Sequence, residues 1–202
     1  MVLIAGTLLL GIVVGFAMGG SLRRLGDVHF RWWGLAFLGL ALQVAPVPSR
    51  PGNGDHLVAV GLLVASYVVL LVFVMANIRR PGFAIIAAGF ALNALVIAVN
   101  GGMPVNGPAL RTAAGPSYHQ TLVRLTVHGG AKHHLEQPGD ELVGLSDVLP
   151  VGAPVDQVLS VGDILWLAGA AWVVARAMTD GAQAAPATEP EAAPEGSTEP
   201  VA

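Results

Sequence analysis

Several side chains that can carry acid–base or ligand chemistry lie in the segment 101–157 and at its borders. Lys132 and His133 are adjacent, Asp147 follows in the same segment, and Asp163 lies shortly beyond it. A lysine and a histidine can contact a phosphate, and a carboxylate can orient the histidine as a general base. These residue types therefore permit a catalytic or anion-binding cluster.

A metal site is the second interpretation of the same segment. His128, His133 and His134, with Glu136 or Asp147, carry the imidazole and carboxylate groups that suit zinc. Their spacing matches no compact zinc motif such as HExxH, and adjacent histidines point apart unless the chain turns sharply. We therefore predict no metal and no cofactor.

The third interpretation of these residues is structural. Basic side chains at a lipid–water boundary ordinarily keep their charged ends in solvent or at the level of the headgroups. If the segment packs over a helix bundle, Lys132 and the histidines need no ligand. The sequence leaves the catalytic and structural interpretations open.

Asp163 also has two interpretations. A carboxylate within a membrane span indicates a functional site. Ser160 and Asp163 have the Ser-x-x-Asp spacing of a capping box, in which each side chain accepts a hydrogen bond from the other residue's backbone N–H. We favour the cap, because the motif stands where a helix is predicted to begin. Both interpretations hold if that start lies below the membrane surface.

Amide side chains lie within or at the ends of apolar stretches. Asn93 and Gln43 are expected to form hydrogen bonds between helices. Asn100, Gln43 and Asp163 fall near helix ends on one predicted side of the membrane, where they could line a polar cavity. The candidate ligand-binding cluster comprises Gln43, Asn100, Lys132, His133, Asp147 and Asp163.

Five apolar stretches must position these groups: residues 2–18, 30–46, 57–76, 83–99 and 158–174. A helix of about 17–25 apolar residues crosses the hydrocarbon core of a bilayer. We therefore predict an all-α, polytopic membrane bundle of five transmembrane helices, with a long, ordered extracytoplasmic loop at about 101–157. Gly11 and Gly15 have GxxxG spacing, which favours close helix packing, and we expect that packing inside the bundle.

The composition supports a membrane protein and excludes several site classes. Of the 202 residues, 54% are hydrophobic and 11% are charged, whereas soluble domains carry about 25% charged residues. The absence of cysteine excludes disulfides, thiolate nucleophiles and cysteine-ligated metals. A net charge of -3 argues against nucleic acid as a partner.

Basic residues predict the orientation, because positive charge collects on the cytoplasmic side of short loops. They follow the first, third and fifth stretches: Arg23, Arg24, Arg31, Arg79, Arg80 and Arg176. We predict a multi-pass protein of the bacterial plasma membrane, with its N-terminus outside and its C-terminus cytoplasmic. Residues 1–178 form the bundle, and residues 179–202, rich in Ala, Pro and Glu, are predicted to be a disordered acidic tail.

The chain resembles an uncharacterised bacterial membrane-protein family, domain of unknown function 5317. The resemblance covers roughly residues 1–178. Its most specific pieces are Asn-Gly-Gly-Met-Pro-Val at 100–105 and Ser-Val-Gly-Asp at 160–163. Further matching pieces are residues 19–25, 33–43 and 145–150, and Lys132-His133 also looks familial, whereas His128 and His134 do not. The resemblance implies no known activity.

The sequence leaves three functions open. The first is a non-enzymatic membrane component that binds a small ligand, a lipid or a partner protein at its outer face. The second is a membrane enzyme acting on a lipid headgroup or a polyprenyl-phosphate substrate. The third, a transporter or channel, is weakest, because few ionisable residues lie in the apolar stretches. The expected partners are the lipid bilayer and a protein partner or a second copy of the chain.

Overall fold

The computed structural model describes residues 2–44, 53–128 and 132–179. The predicted tail beyond residue 179 lies outside these ranges. The helices are α1 (Val2–Ala17), α2 (Trp33–Val44), α3 (Asn53–Ala76), α4 (Phe83–Asn100), α5 (Gly107–Ala114), α6 (Tyr118–His128) and α7 (Val161–Thr179). The strands are β1 (Met103–Val105), β2 (His133–Leu135), β3 (Leu149–Val151) and β4 (Gln157–Leu159).

Three of the described helices are long and apolar enough to cross a membrane: Leu57–Ala76, Phe83–Asn100 and Val161–Thr179. The helices Val2–Ala17 and Trp33–Gln43 are apolar but shorter. Large apolar side chains on these shorter helices point outward, with Leu9 62% and Phe37 65% exposed. The mostly helical fold is therefore confirmed, with three described helices long and apolar enough to cross a membrane, while the count of five spans stays a prediction.

The five apolar helices pack in the order α1, α7, α4, α3, α2. Helix α7 therefore lies between α1 and α4. Glycines allow this close approach: a Cβ added at Gly11 would lie 2.7 Å from the carbonyl oxygen of Ala171, and one at Gly15 would lie 2.6 Å from the sulfur of Met178. The predicted GxxxG face packs inside the bundle, where small residues let helix backbones approach.

The segment between α4 and α7 is folded against the ends of these helices. The chain leaves α4 at Gly101, which adopts the left-handed conformation (φ 66°) expected from the Asn-Gly-Gly sequence, and its N–H bonds to the carbonyl of Ile97. Strands β1 and β2 pair in parallel, and β3 and β4 pair antiparallel. Met103 on β1 is buried with Leu63, Val96 and Ile97, which attaches this segment to α3 and α4.

The last apolar stretch begins later than its hydropathy indicates. Residues 158 and 159, predicted to be helical, belong to β4 and pair with Pro150 and Leu149 of β3. Helix α7 begins at Val161 and continues to Thr179, five residues beyond the predicted end. The prediction was wrong here because a short buried apolar strand cannot be distinguished from a helix start by hydropathy alone.

Candidate ligand-binding site

The start of α7 carries the predicted capping box. The backbone N–H of Asp163 donates to Oγ of Ser160 at 2.9 Å, and the backbone N–H of Ser160 donates to Oδ2 of Asp163 at 3.2 Å. Two backbone donors that a helix start leaves without partners are thereby satisfied. The capping prediction for Ser160 and Asp163 is confirmed.

The same carboxylate also connects α7 to α4. Nδ2 of Asn93 donates to Oδ1 of Asp163 at 2.8 Å, and the Ser160 hydroxyl donates to Oδ1 of Asn93 at 2.8 Å. The indole Nε1–H of Trp166 donates to the same Asp163 oxygen at 3.1 Å. The interhelical role predicted for Asn93 is confirmed, and Asp163 is held in one orientation by donors from three residues.

Asp147 lies beside this network on the segment that packs over the bundle. Its backbone N–H donates to the carbonyl of Pro104 at 3.1 Å, and its carbonyl accepts from the N–H of Asn106 at 2.9 Å. These bonds hold Asp147 against β1. The residue is only 5% exposed, and Nε2 of His133 lies 3.7 Å from its Oδ2. That distance is too long for a hydrogen bond.

The protein environment shifts the protonation of these groups. Burial, together with the smaller effect of the nearby Asp163 carboxylate, raises the pKa of Asp147 to about 8. Asp147 therefore carries a proton at neutral pH and can donate a hydrogen bond. Desolvation lowers the pKa of His133 below its usual value, although 48% of its side chain remains exposed. His133 is therefore neutral under the same conditions.

His133, Asp147 and Asp163 all line one open cavity of about 440 Å³. Its walls are apolar and come from the beginning of α1, from α5 and α6 and from the indole of Trp166; the apolar lining includes Leu3, Ile4, Val105, Leu110, Leu125 and Leu159. Asp156 and Gln157 add polar groups beside β4. The cavity thus combines a few polar groups with a mostly apolar lining, as small-molecule sites commonly do.

The other three predicted cluster residues lie elsewhere. The side chain of Asn100 donates to the carbonyls of Val96 and Glu141 and accepts from the N–H of Glu141 at 2.8 Å, so it fastens a turn to the end of α4. Gln43 is half-buried near the end of α2. The carbonyl of Lys132 accepts from Met103, and partial burial lowers the pKa of its ammonium group. None of these three is among the described residues that line the cavity.

The adjacent histidines have different surroundings. Nε2 of His134 lies 3.1 Å from both carboxylate oxygens of Asp140, and that carboxylate also accepts from the N–H of Gln137 at 2.7 Å. His133 instead faces Asp147. Among the described residues no group of three or more His, Asp or Glu side chains is placed to hold a metal ion. The side chain of His128 lies outside that description.

Trp166 is the main cavity residue that the sequence analysis missed. It stands three residues after Asp163, a spacing that brings two side chains to one face of a helix. That spacing was a usable signal. The contribution of Leu3 and Ile4 had no such signal, because it depends on α1 packing beside α7, far along the chain.

The arrangement can bind a molecule that has one hydrogen-bonding end and one apolar part. A protonated Asp147 donates, and the Asp163 carboxylate accepts. His133 has one ring nitrogen of each kind when neutral. None of the described residues lining the cavity is Lys or Arg, but the ammonium of Lys132 is near enough to His133 to contribute to the lowered pKa of that imidazole.

Comparison with known protein families identifies a match over most of the chain. Residues 27–175 match the model of a family described as a family of unknown function (DUF5317). The match begins after α1 and ends within α7, so it is shorter than the span 1–178 over which the sequence resembles that family. No curated protein and no solved structure matches the chain.

Proposed function

The chain belongs to this family of unknown function, and from that premise we propose that it is a membrane component that binds an amphipathic ligand without altering it. The cavity beside α7 holds the polar end of the ligand, and the apolar body of the cavity holds its hydrocarbon part. The protein is a non-enzymatic binding component in this proposal, and the ligand is a lipid or another small amphiphile.

The proposal depends on one observation above the others. The Asp147 carboxyl is almost fully buried, lines the cavity and has no hydrogen-bond partner among the residues that the structure describes. The cavity is open, so water can reach this carboxyl, and a ligand that bonds to Asp147 takes the place of that water. The carboxyl without a protein partner therefore supports a binding role for the cavity.

The charges around the cavity favour particular ligands. Asp147, Asp156 and Asp163 line it together with a neutral His133. A neutral hydroxyl or a cationic amine complements such a lining, whereas a phosphate would meet the carboxylates of that lining. We therefore place neutral and cationic amphiphiles before polyprenyl phosphates as ligands.

The proposal includes the membrane arrangement. We infer that all five apolar helices lie in a bacterial plasma membrane, with the N-terminus outside and the C-terminus cytoplasmic. Helix α1 contributes to the cavity through Leu3 and Ile4, and its exposed apolar residues suit contact with lipid. In this orientation the cavity opens toward the outer half of the bilayer. Cysteines introduced singly at residues 27 and 140 and labelled in intact cells with an impermeant reagent test it.

Binding is tested with three compounds that share one tail. The purified full chain in mild detergent is titrated with octylamine, octanol and octyl phosphate while complexes are counted by native mass spectrometry. We expect the amine and the alcohol to bind about tenfold more tightly than the phosphate. Asp147→Ala, which removes the hydrogen-bonding carboxyl, should weaken the amine and the alcohol, and Asp27→Asn, which removes an exposed acid outside the cavity, should leave all three unchanged.

Two results would contradict the proposal. Absence of saturable binding by every compound would remove the binding function itself. Binding that is indifferent to Asp147→Ala and to His133→Gln would remove this cavity as its location. Binding of octyl phosphate as tightly as octylamine would leave the binding function and overturn only the preferred ligand charge.

One observation favours an enzyme as the second candidate function. The imidazole of His133 is half-exposed within the cavity and lies beside the Asp147 carboxyl, so it could accept a proton from a bound headgroup. Extracted membrane lipids incubated with the protein would then change in mass over time. Loss of that change in His133→Gln, with ligand binding retained, would favour the enzyme over the binding component.

A further inference from the structure

A second cavity, of about 530 Å³, lies at the other end of the bundle. Its lining includes Arg31 and Trp32 just before α2, and Asn77, Arg79 and Arg80 between α3 and α4. Helix α4 starts three residues after Arg80 and has 18 residues, which corresponds to about 27 Å of helix. This basic cavity is therefore separate from the cavity that contains Asp147.

Asn77 fixes the backbone of one wall. Its side-chain oxygen accepts from the N–H of Arg31 at 2.9 Å, and its Nδ2 donates to the carbonyls of Arg31 and Phe73, each at 2.9 Å. Asn77 is only 3% exposed. One buried amide therefore binds both the backbone N–H and the backbone carbonyl of Arg31. These bonds fix the backbone position from which the Arg31 side chain extends.

Arg80 is fixed by different contacts. Its Nη2 donates to the carbonyl of His29 at 2.6 Å, and its guanidinium lies 5.3 Å from the centre of the Phe30 ring. Arg31 and Arg79 are exposed, and their guanidinium groups form no hydrogen bond or ion pair with another residue in the described ranges. One wall is thus preorganised, and two cations remain available to a ligand.

Trp32 separates Arg31 from α2 in an unusual conformation. Its φ is 54°, in the left-handed region that bulky residues rarely adopt, and its side chain is 59% exposed. Strained backbone of this kind persists where surrounding contacts impose it, and such positions cluster at binding sites. Exposed tryptophan also suits the boundary between lipid and water.

We propose that this basic cavity binds the phosphate group of an anionic ligand. That ligand is either a lipid whose headgroup carries net negative charge or a soluble phosphate. Arg31 and Arg79 contact the phosphate oxygens, since a guanidinium pairs with two such oxygens at once. Arg80 supplies a third positive charge. No carboxylate is among the described lining residues to compete with the ligand. This site does not depend on the function proposed for the other cavity.

The test compares lipids that share their acyl chains. Native mass spectrometry of the full chain in mild detergent measures binding of dioctanoyl-phosphatidylglycerol and of dioctanoyl-phosphatidylcholine. We expect the anionic lipid to bind about tenfold more tightly. The double variant Arg31→Gln with Arg79→Gln should remove that preference. Arg23→Gln, which removes an exposed arginine outside the cavity, should preserve it.

Inorganic phosphate distinguishes the two sources of the ligand. Displacement of the anionic lipid by millimolar phosphate, lost in the double variant, would support a site for a soluble phosphate. Retention of the lipid would support a headgroup site. Equal binding of both lipids, or an equal loss in Arg23→Gln, would overturn the proposal, because general surface charge would then explain the binding. Thermal unfolding of each variant verifies that it is folded.

Discussion

Asn93 on α4 donates a hydrogen bond from Nδ2 to Oδ1 of Asp163 on α7 at 2.8 Å, and Asp163 lines the cavity. The bond connects two helices that are long and apolar enough to cross a membrane. Few other polar partners are available inside a bilayer. Asp163 therefore caps its own helix, connects α7 to α4 and lines the cavity. A residue with these three contacts couples the shape of the site to the stability of the bundle.

Replacing Asp163 by Asn should destabilise the protein. Both carboxylate oxygens accept hydrogen bonds, one from Asn93 and Trp166 and the other from Ser160. The amide of Asn has one oxygen that accepts and one NH2 group that donates. At least one of the present N–H donors would therefore face the NH2 group instead of an oxygen. We expect the free energy of unfolding in mixed micelles to fall by about 1–3 kcal/mol. Unchanged stability would show that these contacts contribute little.

Gly89→Ala should separate α4 from α7. A Cβ at Gly89 would lie 2.5 Å from the carbonyl oxygen of Gly162 and 2.7 Å from the backbone nitrogen of Trp166. Neither backbone atom can move without shifting a helix, so we expect a loss of about 1–3 kcal/mol in the free energy of unfolding.

Gly61→Ala is the matched control for that variant. No atom lies within 4 Å of the Cβ that would be added on α3. Alanine is favoured over glycine inside a helix by about 0.5–1 kcal/mol, so this change should leave stability unaltered or raise it. If Gly89→Ala behaves like Gly61→Ala in thermal unfolding, the helices do not cross as closely as described.

Asp147 should make stability depend on pH. Its pKa rises from 3.8 to about 8 in the folded protein because of burial, so the folded state binds more protons than the unfolded state between these values. Stability should therefore fall as pH rises through this window and level off above about pH 8. The Asp147→Asn side chain cannot ionise. Its free energy of unfolding relative to that of the parent protein should therefore increase between about pH 5 and pH 9.

Midpoints of thermal unfolding across this window measure the effect. Subtracting the unfolding midpoint of the parent from that of Asp147→Asn at each pH removes the contributions that both proteins share. These include the titration of His133 and Lys132 where it is not coupled to Asp147. Asp27→Asn provides the control, since that residue is exposed and lies away from the cavity. A difference that stays constant with pH would contradict the burial of an ionisable Asp147.

Asn100→Ala should loosen a turn and leave ligand binding intact. Its side chain holds both backbone groups of Glu141, and it does not line the cavity. We expect faster hydrogen exchange around residues 139–142, because two bonds that fix this turn are lost. Loss of octylamine binding in this variant at unchanged stability would place Asn100 in the site, as the sequence analysis expected.

The sequence alone predicted the local features of the molecule. Hydropathy located the apolar helices, Asn-Gly-Gly indicated the left-handed end of α4, and Ser-x-x-Asp indicated the cap of α7. These features depend on residues within a few positions of one another, so their pattern is visible in one dimension. Hydropathy alone placed the start of α7 at residue 158, three residues too early, because β4 forms only through pairing with β3.

The membership of the site was decided by the tertiary structure. Residue types identified six candidates, and the fold brings together His133, Asp147 and Asp163 while it uses Asn100 to hold a turn. The apolar body of the cavity comes from α1, α5 and α6, which meet at the start of α7 only after the chain has packed. The burial that keeps Asp147 protonated has the same origin. Composition and spacing determine which groups are present and which helices form, whereas long-range packing determines which groups share a cavity and how water is excluded from them.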